Sequence, residues 1–437
     1  MREAFQNQVA EVLTDESRFR KKEEDIIVGL ESELGLFSDA KTPEEIGAIR
    51  DDILHSAEVT EHTDIDAELG VTQIEFRTPP ISVGSGADEL MRVYKERFKK
   101  ILDVAHRRNL SVLRIGSNPF LPVLETPRTN KPKYLLVPDF QNIHRRKSID
   151  TSFGVNGTRV EIGDASIISL FQAFQVNIQA SSLGDGIEKM NRSFMLVPLL
   201  VALGANSRYI ECSDTGVQES RVLAWEISHD TRTREEIRSG IGLRIGLPER
   251  YFAGPSDYFV RVGKYPFILS APDQALKVGV GLHWLDVRLK VVGDAIVVEL
   301  RALPTQPTIE EELALTFFFL GRLKYSQDAR EELLPMSFVS ENRLQAHLYG
   351  MQSRLWCVDG KGILRKASAR EVFFLEYRRA IEGLRTIGVE ETAQDLMEPL
   401  ERKIISPSES LAYSLSYKEK VEPSFLEDAL RRSSMLV

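Results

Sequence analysis

The run Ile26-Ile-Val-Gly-Leu-Glu-Ser-Glu-Leu-Gly-Leu-Phe37 places two carboxylates, Glu31 and Glu33, two positions apart inside an otherwise apolar stretch. In a β-strand, residues i and i+2 point to the same face. A strand with this pattern therefore directs two negative charges at one spot, and like charges brought together in a sheet are destabilising. Any fold that accepts such a strand has to leave the charges to solvent or supply something cationic.

Three further segments repeat the theme. In Asp64-Ile-Asp-Ala-Glu-Leu-Gly-Val-Thr-Gln-Ile-Glu75 a tight turn at Gly70-Val71 predicts a hairpin with Asp66 opposite Glu75 and Glu68 opposite Gln73. In Phe174-Gln-Val-Asn-Ile-Gln179 the side chains of Gln175, Asn177 and Gln179 share one face, and Phe174, Val176 and Ile178 form the other. The segment 283–308 contains Val-Gly-Asp-Ala, which predicts a hairpin whose two-residue loop is Gly293-Asp294. That register sets Arg288 against Glu299 and Asp286 against Arg301. Taken singly, each segment also fits a solvated strand face or a surface ion pair. Together they describe a sheet that collects carboxylates. Hard divalent cations such as Mg²⁺ take oxygen ligands and keep room for waters and substrate phosphates. Histidine and cysteine do not cluster with these acids, which argues against zinc.

The net charge of −9 argues against a general electrostatic grip on nucleic acid or an anionic membrane. With two cysteines, Cys212 and Cys357, no disulfide framework is implied. The polar N-terminus is no signal peptide, and the apolar run 194–205 is too short to span a bilayer. A soluble, cytoplasmic protein is expected. There is no internal repeat and no linker, so residues 1–437 are expected to form one unit, with a sheet core over about 26–308 and a helical part over about 309–437. Candidate loops are 38–45, 124–134 and 303–308. Apolar spacings of three and four predict helices over 88–106, 309–325 and 368–388, the last with a glycine cap. Without a glycine-rich phosphate loop or βαβ fingerprint, the class is α+β with an antiparallel sheet.

The motifs, in order, resemble those of the glutamate–cysteine ligase family and its shorter carboxylate–amine ligase relatives. Gly29-Leu-Glu-Ser-Glu-Leu-Gly-Leu-Phe37 is similar to the family's first Glu-x-Glu strand. Glu68-Leu-Gly-Val-Thr-Gln-Ile-Glu75 is similar to its second acidic strand, and 174–182 to a Gln-Val-Asn strand. Residues 190–209 resemble the helix ending in Ala-Asn-Ser, and 216–233 the following Ser-x-Arg-x-x-x-Trp pattern. The Glu299-Leu-Arg301 ending resembles the paired strands that close the site, and 341–350 a C-terminal Glu-Asn helix.

The resemblance implies a glutamine-synthetase-type antiparallel sheet curved into a funnel and surrounded by helices, with ATP and two or three Mg²⁺ inside. It implies amide formation in which ATP phosphorylates a carboxylate, that of glutamate in the family, and cysteine or another amine attacks the acyl phosphate. Metal binding falls to Glu31, Glu33, Glu68, Glu75 and Glu299, with Asp66 added. Arg301 and Arg288 would stabilise the transferring phosphoryl group or substrate carboxylates. Arg221, Trp225 and Arg232 fall on substrate positions, joined by Gln175 and Asn177. Gln179, where the plant branch has an acid, and Leu300-Arg-Ala-Leu-Pro, in place of Met-Arg-Gly-Ala-Asp, put cysteine as the amine in question. A nucleotide-binding regulatory relative and a phosphotransferase are the alternatives.

Overall fold

Strict alternation builds the centre of the molecule. In the computed structural model, which describes residues 1–22, 26–56, 59, 64–145, 152–155, 157–211 and 213–405, strand β1 spans Ile27–Phe37. Its even-numbered residues Val28, Leu30, Ser32, Leu34 and Leu36 are completely buried. Glu31 and Glu33 lie on the opposite face, as period two requires.

Seven strands join β1 in one sheet. They are β2 (Asp64–Ala67), β3 (Gln73–Arg77), β4 (Ile81–Ser82), β5 (Ser111–Leu113), β6 (Phe174–Ala180), β7 (Val287–Val292) and β8 (Ala295–Leu300). The order is β7-β8-β6-β1-β3-β2, with β4 and β5 also pairing β1, and every pairing is antiparallel. The β7–β8 hairpin turns at Gly293-Asp294, with Gly293 at φ +57, and pairs Arg288 with Glu299.

The β2–β3 hairpin keeps Asp66 opposite Glu75, but its turn differs from the expected one. Gln73 N donates to Gly70 O, centring the turn on Val71-Thr72. β2 stops at Ala67, so Glu68 leaves the sheet. The Gln73 side chain accepts from Gly70 N and donates to Phe171 O instead of facing Glu68. Opposite Asp286, Arg301 makes the expected backbone bond (2.8 Å), but the Asp286 carboxylate turns away to Arg343.

Helices cover the apolar face. α1 (Val83–Arg107) stacks Tyr94 on Phe76, centroids 5.1 Å apart, and α2 (Leu183–Gly204) lays Gly186 against Ile296 and Leu289. α3 (Ile309–Asp328) is capped by Thr308, whose side chain accepts from Glu311 N. Its Glu312 is fully buried beneath the sheet and gathers Arg114, Tyr94 and Ser32. α4 (Ala369–Thr386) is followed, after Ile387, by Gly388 at φ +78. α4 crosses α3 at Gly383 and Gly321, each with no room for a Cβ against the other helix's backbone. The C-terminal part is not wholly helical. Arg354–Val358 and Leu364–Ser368 form a hairpin, whose turn is held by Asp359 accepting from Lys361 N and Ile363 N. The loop 303–308 is no linker, because Thr305 and Gln306 are fully buried. Among the described residues no helix is long and apolar enough to cross a membrane. Cys212 and residues 406–437 lie outside the described residues.

Candidate active site

The polar face of the sheet carries two joined groups of charge. The first is acidic. β1 and β3 pair Glu33 directly with Glu75, and Glu68 reaches the same place from the end of β2. One carboxylate oxygen from each of Glu33, Glu68 and Glu75 lies within 4.8 Å of the others. Burial, and then the charge of Glu68, pushes the Glu33 carboxyl up to about 8. Burial likewise raises Glu68, and burial with the neighbouring carboxylates holds Glu75 well above the usual range. Three acids so placed resist ionising together. Glu33 is oriented by Ala173 N (2.7 Å) and Gln175 Nε2 (3.1 Å), and Glu68 by Tyr134 Oη (3.1 Å). Glu75 pairs with Arg77.

The second group is centred on Glu299, 1% exposed. Against the effect of burial, Arg288, Arg301 and Lys290 hold its carboxyl well below the usual range. Arg288 Nε and Arg301 Nη1 each lie 2.7 Å from Glu299 Oε2, and Lys290 Nζ 2.6 Å from Oε1. Arg301 Nη1 also donates to Gln175 Oε1 (3.1 Å), so Gln175 links Glu299 to Glu33. Glu31 lies on the same face, accepting from Asn177 Nδ2 (2.9 Å) with Lys290 at 3.5 Å. Among the described residues on this face, the buried atoms Arg301 Nε and Asn177 Oδ1 have no partner.

The structure thus gathers Glu31, Glu33, Glu68, Glu75, Glu299, Gln175, Asn177, Arg288 and Arg301. Asp66 points elsewhere, to Lys131 (2.5 Å). Arg221 is buried against Glu219 (3.2 Å) and donates to Ala302 O (2.7 Å). Arg232 is held by both oxygens of Asp230. Trp225 packs on Trp284 and His229. Lys290 and Arg77 were missed as site residues. Each stands two positions from a residue already singled out, Arg288 and Glu75, so same-face spacing was the available signal.

Hard oxygen donors at this separation suit Mg²⁺, and the unpartnered guanidinium nitrogen beside them suits an anion. Residues 27–406 match the family described as glutamate–cysteine ligase family 2. A Rubrobacter xylanophilus protein, provisionally named glutamate–cysteine ligase 2-3, is 24% identical over 378 residues, 85% of this chain and 88% of its own. The glutamate–cysteine ligase of Francisella tularensis, solved in complex with AMP, superposes with TM-score 0.57 at 13% identity, covering 95% of this chain and 89% of that one. A bifunctional glutathione synthetase from Pasteurella multocida gives TM-score 0.50 at 11% identity, covering 98% of this chain and 54% of that one.

Proposed function

Because the chain belongs to glutamate–cysteine ligase family 2, we propose that it is an ATP-dependent carboxylate–amine ligase whose reaction takes place on the polar face of the sheet. The convergence of Glu33, Glu68 and Glu75 beside the Arg288–Glu299–Arg301 group carries this reading. Such a face matches what phosphoryl transfer asks of a protein: charge placed to position phosphates, and little need for a protein nucleophile.

Glu33, Glu68 and Glu75 would hold Mg²⁺, with Glu31 and Glu299 as further ligands. Bound there, magnesium would neutralise the trio and polarise the phosphates of ATP. Arg301 and Arg288 present positive charge where the γ-phosphoryl group gains negative charge. Gln175 fixes Arg301 relative to Glu33, so cation and acid keep their spacing. A substrate carboxylate oxygen attacks the γ-phosphorus, the bond to ADP breaks, and an acyl phosphate forms. The amine nitrogen then attacks the acyl carbon and phosphate leaves, giving ADP, phosphate and an amide. Glutamate is the proposed acid, with cysteine or another amine as acceptor. The sheet serves as the funnel of a glutamine-synthetase-type ligase, and residues 1–437 act as one catalytic unit.

Incubation with ATP, Mg²⁺ and glutamate against a panel of amines, read by ADP release and by mass spectrometry, tests the proposal. A new amide with stoichiometric ADP and phosphate is expected. ADP with a stable phosphorylated product points to a phosphotransferase, and nucleotide binding without ADP under every amine points to a regulatory relative. Glu31→Gln and Glu299→Gln are each expected to abolish turnover with the far-ultraviolet spectrum unchanged. Near-full activity in either removes that residue from the site.

A further inference from the structure

Seven arginines are buried among the described residues. Six have a carboxylate partner: Arg50, Arg114, Arg192, Arg221, Arg322 and Arg343. Arg244, 3% exposed, has none among the described residues. Its hydrogen bond is from Nη2 to Pro266 O at 3.3 Å, and Nη1 is buried without a partner. An unpaired guanidinium taken out of water is costly, so its retention asks for an anion.

Its surroundings are aromatic. The guanidinium lies over Tyr265 and Trp284, 5.0 and 5.8 Å from the ring centroids. Trp284 packs against Trp225 (5.8 Å) and His229 (5.7 Å), and Tyr265 against His283 (5.3 Å). Three ring nitrogens in this box are also buried without a partner among the described residues: Trp225 Nε1, His229 Nε2 and His283 Nδ1. Burial, with the charge of Arg244 behind it, holds both imidazoles down to about 3, so they are neutral at physiological pH. Arg244 is therefore the cation of the box. His283 and Trp284 lead directly into β7, which carries Arg288, and Glu226, next to Trp225, is tied by Arg343 to Asp286 just before β7. The box is thus tied, through the chain and through Arg343, to the strand that supplies the charged face described above.

We propose that Arg244, with Trp225, Trp284 and His283, forms a subsite that takes the carboxylate of a small amino-acid substrate. The identity of that substrate rests on the ligase reading, while the box as an anion site does not. The chemistry fits either the carboxylate of the acid donor that is not activated or that of the amine acceptor.

Trp225 and Trp284 are two of the three tryptophans in the chain, so their emission reports occupancy. The full-length protein, without ATP or Mg²⁺, is titrated with glutamate, γ-aminobutyrate, cysteine and cysteamine, with calorimetry alongside. A change with glutamate that vanishes with γ-aminobutyrate assigns the donor's carboxylate. One with cysteine that vanishes with cysteamine assigns the acceptor's. Arg244→Met is expected to weaken the response at least about tenfold and to raise the melting temperature of the ligand-free protein. Arg244→Lys retains part of the response. A simple packing role for Arg244 would give a lower melting temperature and unchanged affinity, which overturns the proposal. So does a wild type that responds to none of the four at about 10 mM. Binding lost in Arg244→Met while the wild type makes no ADP with any amine sinks the ligase reading and leaves the subsite standing. ADP production with affinity and KM untouched by Arg244→Met does the reverse.

Discussion

At the scale of single residues, the acidic trio places function in opposition to stability. Glu33, Glu68 and Glu75 are brought together in a buried place, with Arg77 paired to Glu75 and Arg301 shared with Glu299. Neighbouring carboxylates repel, and burial magnifies the repulsion. Glu68→Gln removes one charge while the amide oxygen can still accept from Tyr134 Oη. In metal-free protein at pH 8 this variant is expected to be more stable by about 1 kcal/mol, read as a rise in melting temperature. The same variant should lose most of the rise that Mg²⁺ gives the wild type. A drop in metal-free stability with the Mg²⁺ response intact would remove Glu68 from the metal site.

At the scale of elements, what could be read from the sequence was what period two and turn chemistry fix locally. The alternation in β1, the Gly293-Asp294 turn and the pairing of Arg288 with Glu299 involve neighbours a few residues apart, and the structure has all three. The direction of Asp286 was not legible, because its partner Arg343 lies on a helix 57 positions away. Nor was the exit of Glu68 from β2, which follows from the Gln73 side chain bonding across to Phe171. The hairpin between Arg354 and Ser368 was absorbed into a helical expectation because its strands are five residues each between two long helices. The α3–α4 crossing is likewise invisible in either helix alone. Gly383 and Gly321 read as weak helix formers, yet they let the two backbones touch. Gly383→Ala should therefore cost about 2 kcal/mol or more despite alanine's better helix propensity. Chemical denaturation would show it, and a stabilised variant would mean that the helices part easily.

At the scale of the whole molecule, two sets of buried groups pull the pH dependence of stability in opposite directions. His229 and His283 are held down to about 3 by burial, against about 6.5 in an unfolded chain. Their contribution is complete above pH 6.5 and is lost as pH falls from there toward 3, because the unfolded chain takes up the protons. Glu33 is raised to about 8, against about 4.3 unfolded. Its contribution is complete below that unfolded value and is lost as pH rises from there through 8, because the unfolded chain gives up its proton while the folded chain still holds one. Metal-free protein should thus melt highest near pH 6 and lower on both sides. The two limbs sit in different places, the histidines beside Trp284 and the acids on the far part of the sheet, so a ligand can act on one alone. Saturating Mg²⁺ stabilises ionised carboxylates and leaves neutral imidazoles as they are. The alkaline fall should flatten with Mg²⁺ while the acid fall keeps its slope, as melting curves from pH 4 to 9 would record. An alkaline limb indifferent to Mg²⁺ would separate the acidic trio from metal binding, and with it the central support for phosphoryl chemistry on this sheet.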